Sequence, residues 1–222
     1  NPRYAAHVNP LLDEVDGAYS RNTESTRLFG NYYVEISPIE GLLFRSNFGL
    51  DRNNMRRGTY QDYMSVGRAQ TQRTSYISNE NQVRTKYTWE NVLSYNTSLG
   101  SDRHDLTAML GQSMDQSVYE QSMVQGDAGP EHYYNSTFYD LSKIAQLTPP
   151  TSDWEKINHL SYFGRINYQL DNKYLLTVSM RADGASPLAE GNKWSSFPSV
   201  SAAWRINEEH FMEGTRTYLT NL

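Results

Sequence analysis

The sequence predicts an all-β fold, an antiparallel sheet built from hairpins, and three observations lead there. Apolar and polar residues alternate with a period of two over much of the chain, charged residues keep to one side of that alternation, and tight turns alternate with long connections. Composition agrees: 17 Tyr, 4 Trp and 7 Phe in an otherwise polar chain of 222 residues favour strands over helices. Uninterrupted apolar stretches are too short for a spanning helix. A formal charge of -5 with scattered signs provides no basic stripe for nucleic acid, and the lack of Cys excludes a disulfide framework or a thiolate metal site.

The first strand covers 28 to 37, with Leu28, Gly30, Tyr32, Val34 and Ile36 on one face and Phe29, Asn31, Tyr33, Glu35 and Ser37 on the other. Pro38-Ile39-Glu40-Gly41 is turn chemistry, after which Leu42, Phe44, Ser46, Phe48 and Leu50 resume the pattern. A second hairpin puts Val83, Tyr87, Trp89, Leu93, Tyr95 and Leu99 together, turns at Gly100-Ser101-Asp102-Arg103, and returns through Leu106, Ala108 and Leu110. The third runs from Leu160 through Tyr162, Gly164, Ile166 and Tyr168 to Leu170, turns at Asp171-Asn172-Lys173, and returns through Tyr174, Leu176, Val178, Met180 and Ala182. A seventh strand presents Pro198, Val200, Ala202, Trp204 and Ile206, and an eighth is expected to begin near Tyr218.

Once the apolar residues define the outward faces, Glu35, Arg45, Asp51, Arg84, Lys86, Glu90, Asp105, Arg165, Arg181, Asp183 and Arg205 all take the opposite side. Asn91 alone sits awkwardly on the apolar side, as a bulge or a local phase error would place it. Long excursions are expected at 52 to 82 and 114 to 158, and a medium one at 184 to 195. Short turns at one end of a sheet and long loops at the other are the asymmetry of a transmembrane β-barrel. A ten-residue strand rising about 3.3 Å per residue and tilted by about 40° spans about 25 Å, the height of an outer-membrane apolar band. Tyr168, Tyr174 and Trp204 stand where an interfacial aromatic girdle would. A soluble all-β carbohydrate-binding module, its apolar faces meeting in a core, is the competing reading of the same alternation.

The motifs then carry a resemblance. Ser161-Tyr162-Phe163-Gly164-Arg165-Ile166-Asn167-Tyr168, Asn172-Lys173-Tyr174-Leu175-Leu176-Thr177 and Met180-Arg181-Ala182-Asp183-Gly184-Ala185-Ser186 resemble the barrel of SusC/RagA-type TonB-dependent outer-membrane transporters. Asn192-Lys193-Trp194, Phe197-Pro198-Ser199-Val200-Ser201-Ala202-Ala203-Trp204-Arg205-Ile206 and Glu208-Glu209-His210-Phe211-Met212 continue the pattern in order. Upstream, Gly30-Asn31, Ser37-Pro38-Ile39-Glu40-Gly41-Leu42 and Phe44-Arg45-Ser46-Asn47-Phe48-Gly49 are similar too. The Ala185-Ser186-Pro187-Leu188-Ala189-Glu190-Gly191 loop departs from the family's usual run.

The resemblance implies that residues 1–222 supply about seven to eight strands of a 22-stranded barrel, with the plug domain and the TonB-contacting box upstream. The chain begins at Asn1 without a signal peptide and stops within strand-like alternation at Thr217-Tyr218-Leu219-Thr220-Asn221-Leu222, which reads as truncation. Outer-membrane localisation, with lipid around the barrel, follows. The implied function is TonB-dependent import of oligosaccharides or peptides, with a SusD-like surface lipoprotein and the remainder of the barrel as partners. No enzyme activity and no cofactor are expected. Glu208-Glu209-His210 lacks metal-binding spacing, and Asp13-Glu14-Val15-Asp16-Gly17 would take adventitious Ca²⁺ at most. Candidate substrate contacts are the loop aromatics Tyr60, Tyr63, Tyr133, Tyr134, Tyr139 and Trp154. Glu35, Arg45, Arg165, Arg181 and Asp183 are the candidates for the lumen wall or plug contacts.

Overall fold

A computed structural model describes residues 9–69, 74–100, 103–129 and 141–215. Among them seven strands form one sheet in sequence order: β1 (Tyr19–Ile39), β2 (Leu42–Gln61), β3 (Ser75–Leu99), β4 (His104–Gly129), β5 (Gln146–Leu170), β6 (Tyr174–Ala185) and β7 (Trp194–Trp204). β5, β6 and β7 pair antiparallel. Among the described residues, helix is confined to a single turn at Val66–Ala69 and to short 3-10 segments at Pro10–Glu14, Leu141–Lys143, Ile206–Glu208 and His210–Thr215. None of these is long and apolar enough to cross a membrane, which says nothing about strands.

Residue contacts divide the chain into two compact units. The first comprises Asn1–Phe29, Asp51–Thr85 and Ser117–Lys156, and the second Gly30–Leu50, Lys86–Gln116 and Ile157–Leu222.

The first unit corrects the expected long loops. β2 and β3 take up much of 52 to 82, and β4 and β5 much of 114 to 158. Apolar alternation fades in these stretches, so the sequence conceals them, but a ladder is held by main-chain hydrogen bonds and needs no apolar face. Polar cross-strand contacts take over. Arg57 donates to Glu80 at 3.0 Å, Gln121 donates to the other Glu80 oxygen at 2.9 Å, and Arg27 grips Asp51 through two bonds of 2.8 and 2.7 Å. A small core of Tyr60, Ile77 and Ala128, backed by Leu141 and Ile144, anchors the unit.

The second unit carries the apolar alternation, and its register fixes the faces. Tyr162, Gly164, Ile166, Tyr168 and Leu170 of β5 stand opposite Ala182, Met180, Val178, Leu176 and Tyr174 of β6. Tyr174, Leu176, Val178 and Met180 in turn face Trp204, Ala202, Val200 and Pro198 of β7. Directly opposed residues share a face, so one surface is apolar across three strands and the other holds Arg165, Asn167, Ser179 and Ser199. The apolar surface is not covered by a second layer among the described residues. Val200 is 69% exposed and Ile166 51%. A soluble sandwich would bury such faces in its core, and no second layer of that kind is present among the described residues.

Tight turns join the strands of this unit. Asp171 and Asn172 both adopt positive φ, 52° and 58°, a turn geometry that matches strand twist, and the Lys173 amide closes the turn on the Leu170 carbonyl at 2.9 Å. At Glu40-Gly41 the glycine has φ 78°, and its carbonyl accepts from the Asn96 amide at 2.8 Å. Two expectations need adjustment. Ile206 lies in a 3-10 turn after β7 rather than in the strand, and Arg205 donates at 3.2 Å to the Asn172 carbonyl at the turn rather than lining the sheet. The expected eighth strand near Tyr218 lies outside the described residues.

Candidate functional site: an apolar surface with a polar reverse

Two aromatic rows bound the apolar surface. At the turn end of the second unit, Tyr174 stacks on Trp204 with ring centroids 6.3 Å apart, and Tyr168 stacks on His104 at 6.0 Å with its hydroxyl 2.6 Å from Nδ1. At the other end Tyr162 stacks on Trp194 at 6.1 Å. Trp194 opposes Gly184, and a Cβ on that glycine would come within 2.8 to 3.0 Å of the indole ring; the missing side chain lets Trp194 lie across β6 to reach Tyr162. Trp194 and Trp204 are ten residues apart on one strand. That separation, tilted like a barrel strand, projects to about 25 Å.

Amphipathic rings at both rims with aliphatic side chains between them match the cross-section of a bilayer. Sequence reasoning missed Trp194 as the second row. The signal available was its ten-residue offset from Trp204. Asn91 also finds its reason here: its side chain donates to Gln112 at 3.1 Å, so two amides on neighbouring strands satisfy each other. A bulge is not needed to account for it.

The polar reverse brings together four of the five proposed wall residues. Arg45 donates to Glu35 at 3.2 Å across the first hairpin and lies over the Tyr33 ring at 4.5 Å. Arg181 donates to both Asp183 oxygens at 2.7 and 2.9 Å, reaches Ser161 at 3.2 Å, and lies over Phe163. Arg165 is exposed and stands opposite Ser179 in the register. These pairs are exposed, so each contributes at most about 1 kcal/mol; they make the surface polar rather than rigid.

The turn end is tied by charge. Arg103 forks onto Asp171 through Nε at 2.5 Å and Nη2 at 2.8 Å, and this hydrogen bonding holds the Asp171 carboxyl below its usual range. Glu209 accepts from the Tyr174 hydroxyl at 2.6 Å, from Lys173 Nζ at 3.0 Å and from Trp204 Nε1 at 3.2 Å. The bonds from Tyr174 and Lys173 pull its carboxyl down from 4.5 to about 2. A depressed acid contributes its stability fully above the unfolded value and loses it as pH falls through the folded one. Acidification from about pH 4.5 towards about pH 2 is therefore expected to loosen the Tyr174-Trp204 end. In the full-length protein, tryptophan fluorescence across that range should show the change, and Glu209→Gln should remove it.

Glu209 is thus a turn anchor, and among the described residues no group of three His, Cys, Asp or Glu could hold a metal. Asp13, from the acidic run considered for Ca²⁺, accepts from the Val66 amide at 2.8 Å.

The aromatic candidates divide. Tyr60 is corrected: it lies in β2, only 1% exposed, with its hydroxyl donating to Asp62 at 3.0 Å. It is a core residue, because Ile77 and Ala128 close over it and leave no face for a ligand. Tyr63 lies half-buried in the turn after β2, its amide donating to Ser75 Oγ at 3.2 Å. Trp154 belongs to strand β5 rather than a loop and is 62% exposed. Tyr133, Tyr134 and Tyr139 lie outside the described residues.

No protein-family model matches the chain. It is 32% identical over 208 residues to TonB-dependent receptor P26 of Formosa agariphila, covering 89% of this chain and 20% of that protein. TonB-dependent receptor P3 of the same organism is 29% identical over 222 residues, 96% of this chain and 21% of that protein. TonB-dependent receptor SusC of Bacteroides thetaiotaomicron is 44% identical over 69 residues, 31% of this chain and 7% of its own length. Thus the chain spans about a fifth of the curated relatives that it matches over most of its length. The solved RagAB peptide transporter shares the fold with a TM-score of 0.78 at 21% identity, over 88% of this chain and 21% of that one. The relatives are receptors and transporters, not enzymes.

Proposed function

Because this chain corresponds in sequence and fold to a barrel segment of the SusC/RagA-type TonB-dependent receptors, we propose that the whole protein imports nutrients across the outer membrane, driven through TonB. The observation that carries the reading is the apolar sheet face bounded by the Tyr162-Trp194 and Tyr174-Trp204 stacks, which suits a wall set in lipid. In this reading residues 1–222 belong to one barrel domain. Its apolar face meets lipid, and Glu35, Arg45, Arg165, Arg181 and Asp183 face the lumen and the plug. The short turns are periplasmic. Other strands of the same barrel pair with the edges β1 and β7, since an edge left open in hydrocarbon would leave main-chain groups without partners.

The cargo is an oligosaccharide or a peptide, captured together with a SusD-like surface lipoprotein; the RagAB structures, of a peptide transporter and importer, support the peptide alternative. No bond is broken in such a cycle. Cargo shifts a balance between closed and open states, and work delivered through the plug opens the lumen. Uptake of labelled oligosaccharides or peptides by cells carrying the intact receptor tests this. Uptake should stop when TonB is deleted or the proton-motive force is collapsed; uptake that continues unchanged would contradict the proposal.

Of the candidate aromatics that lie among the described residues, Trp154 is the most exposed. Trp154→Ala is expected to reduce uptake several-fold at unchanged receptor abundance, since stacking on one aromatic ring contributes on the order of 1 kcal/mol. Cargo titration at fixed receptor level would measure it.

A further inference from the structure

β5 outgrows its neighbour. Its pairing with β6 begins only at His159, opposite Ala185, yet the strand starts at Gln146. Along 146 to 158 no strand pairs with that side among the described residues, and every residue from 145 to 156 is exposed. Hydrogen bonds at the two ends give the direction of the main chain. The Ala145 amide donates to the Asp127 carbonyl at 2.8 Å, toward β4. Asn158 points the other way: its amide donates to Ser186 Oγ and its carbonyl accepts from the Ser186 amide, both at 2.9 Å. Strand alternation then aims the N–H and C=O groups of Lys156, Trp154, Ser152 and Thr148 at the open side. Pro150 offers only its carbonyl there.

We infer that this edge binds peptide cargo as an added strand, an inference that rests on the import reading above and chooses between its two cargo classes. An exposed edge is a template for another extended chain. A peptide in strand conformation repeats its donor and acceptor every two residues, about 6.8 Å, the interval at which β5 presents its own. An oligosaccharide offers hydroxyls at a spacing set by its rings instead. The missing donor at Pro150 limits the uninterrupted run to Ser152, Trp154 and Lys156, which suits a peptide of about five residues, held weakly and released onward. A stable protein partner needs a larger surface than one strand edge. A second copy of the chain is disfavoured as well, because antiparallel self-pairing centred on Asp153 or on Trp154 would set Asp153 against Asp153 or Glu155. Main-chain bonds read no side chains, so such a site accepts peptides of mixed sequence.

Removing one edge donor tests this. Ser152→Pro deletes an N–H on the open side and leaves the bonds to β4 in place, whereas Ser152→Ala keeps that N–H. The full-length receptor, extracted together with its surface lipoprotein, is titrated with a fluorescent library of synthetic pentapeptides and with the same library N-methylated at every internal residue. Wild type and Ser152→Ala should bind the first library alike, and Ser152→Pro should bind it at least tenfold more weakly. The N-methylated library should bind wild type as weakly and be indifferent to Ser152→Pro. If Ser152→Pro fails to assemble, the two libraries on wild type still decide. Unchanged binding by an assembled Ser152→Pro receptor, equal binding of the two libraries, or loss of the lipoprotein rather than of peptide would overturn the inference. Uptake of oligosaccharides without peptides would also overturn it and leave the import reading standing. Uptake of neither, by cells with the receptor in the outer membrane, would overturn the import reading itself.

Discussion

Val178→Arg in the full-length protein is expected to cost about 2 to 4 kcal/mol of barrel stability, the range for a cation placed on the lipid face near the bilayer midplane. Val178 stands opposite Ile166 on one side and Val200 on the other, four residues from Tyr174 and six from Gly184. An arginine there could reach water only by displacing lipid or stretching to a distant rim. Its neighbour differs in one respect, the face. Ser179 stands opposite Arg165 and Ser199, on the polar reverse. Ser179→Arg is expected to cost no more than about 1 kcal/mol, the scale of a like-charge cross-strand neighbour, because Arg165 lies across from it. Urea titration of the membrane-inserted receptor would measure both. Equal costs would mean that the two faces are assigned wrongly.

Gly41→Val is expected to be at least as damaging through an unrelated cause. The backbone at Gly41 has φ 78°, where a β-branched residue costs roughly 1 to 2 kcal/mol. The added Cβ would also drive into the Asn96 carbonyl oxygen, main chain that cannot rotate aside, and would disturb the bond from the Asn96 amide to the Gly41 carbonyl. Overpacking of this kind adds about 1 to 3 kcal/mol. Gly100 separates the two contributions: its φ is 57°, but a Cβ added there would meet nothing within 4 Å. Gly100→Ala should therefore show the conformational cost alone, about 1 to 2 kcal/mol. The same titration reads both variants, and a Gly41→Val loss no larger than that of Gly100→Ala would remove the steric argument.

Legibility in the sequence followed the chemistry that shaped each part. From Leu160 to Ala182 the apolar alternation and the Asp171-Asn172 turn specify both faces and register, since slipping one residue would place Arg165 and Arg181 among the apolar side chains. Beyond the apolar band that signal disappears. Residues such as Arg52-Asn53-Asn54 or Gln121 carry no period, although the strands continue through them, because main-chain bonds and pairs such as Arg57 with Glu80 hold them together. Hence the long loops expected at 52 to 82 and 114 to 158 are mostly strand, and Tyr60, expected in a loop, is core.

Within the site, the polar wall residues were readable from parity, but which of them meet was not. Arg181 pairs with Asp183 on its own strand, a choice set by side-chain reach rather than by pattern. The convergence of Tyr174, Lys173 and Trp204 on Glu209 joins segments separated by about thirty residues, and only the folded hairpin brings them together.

A barrel wall requires the even-numbered face of β6 to lie in lipid and the odd-numbered face to lie away from it. This stretch has no cysteine, so single cysteines at Leu176, Thr177, Val178, Ser179, Met180 and Arg181 can each carry a fluorophore in a full-length receptor lacking other cysteines. Quenching by a nitroxide confined to the bilayer should alternate with a period of two, strong at 176, 178 and 180, with its maximum at 178, and weak at 177, 179 and 181. Quenching that does not alternate, or that favours the odd positions, would contradict the lipid-facing assignment.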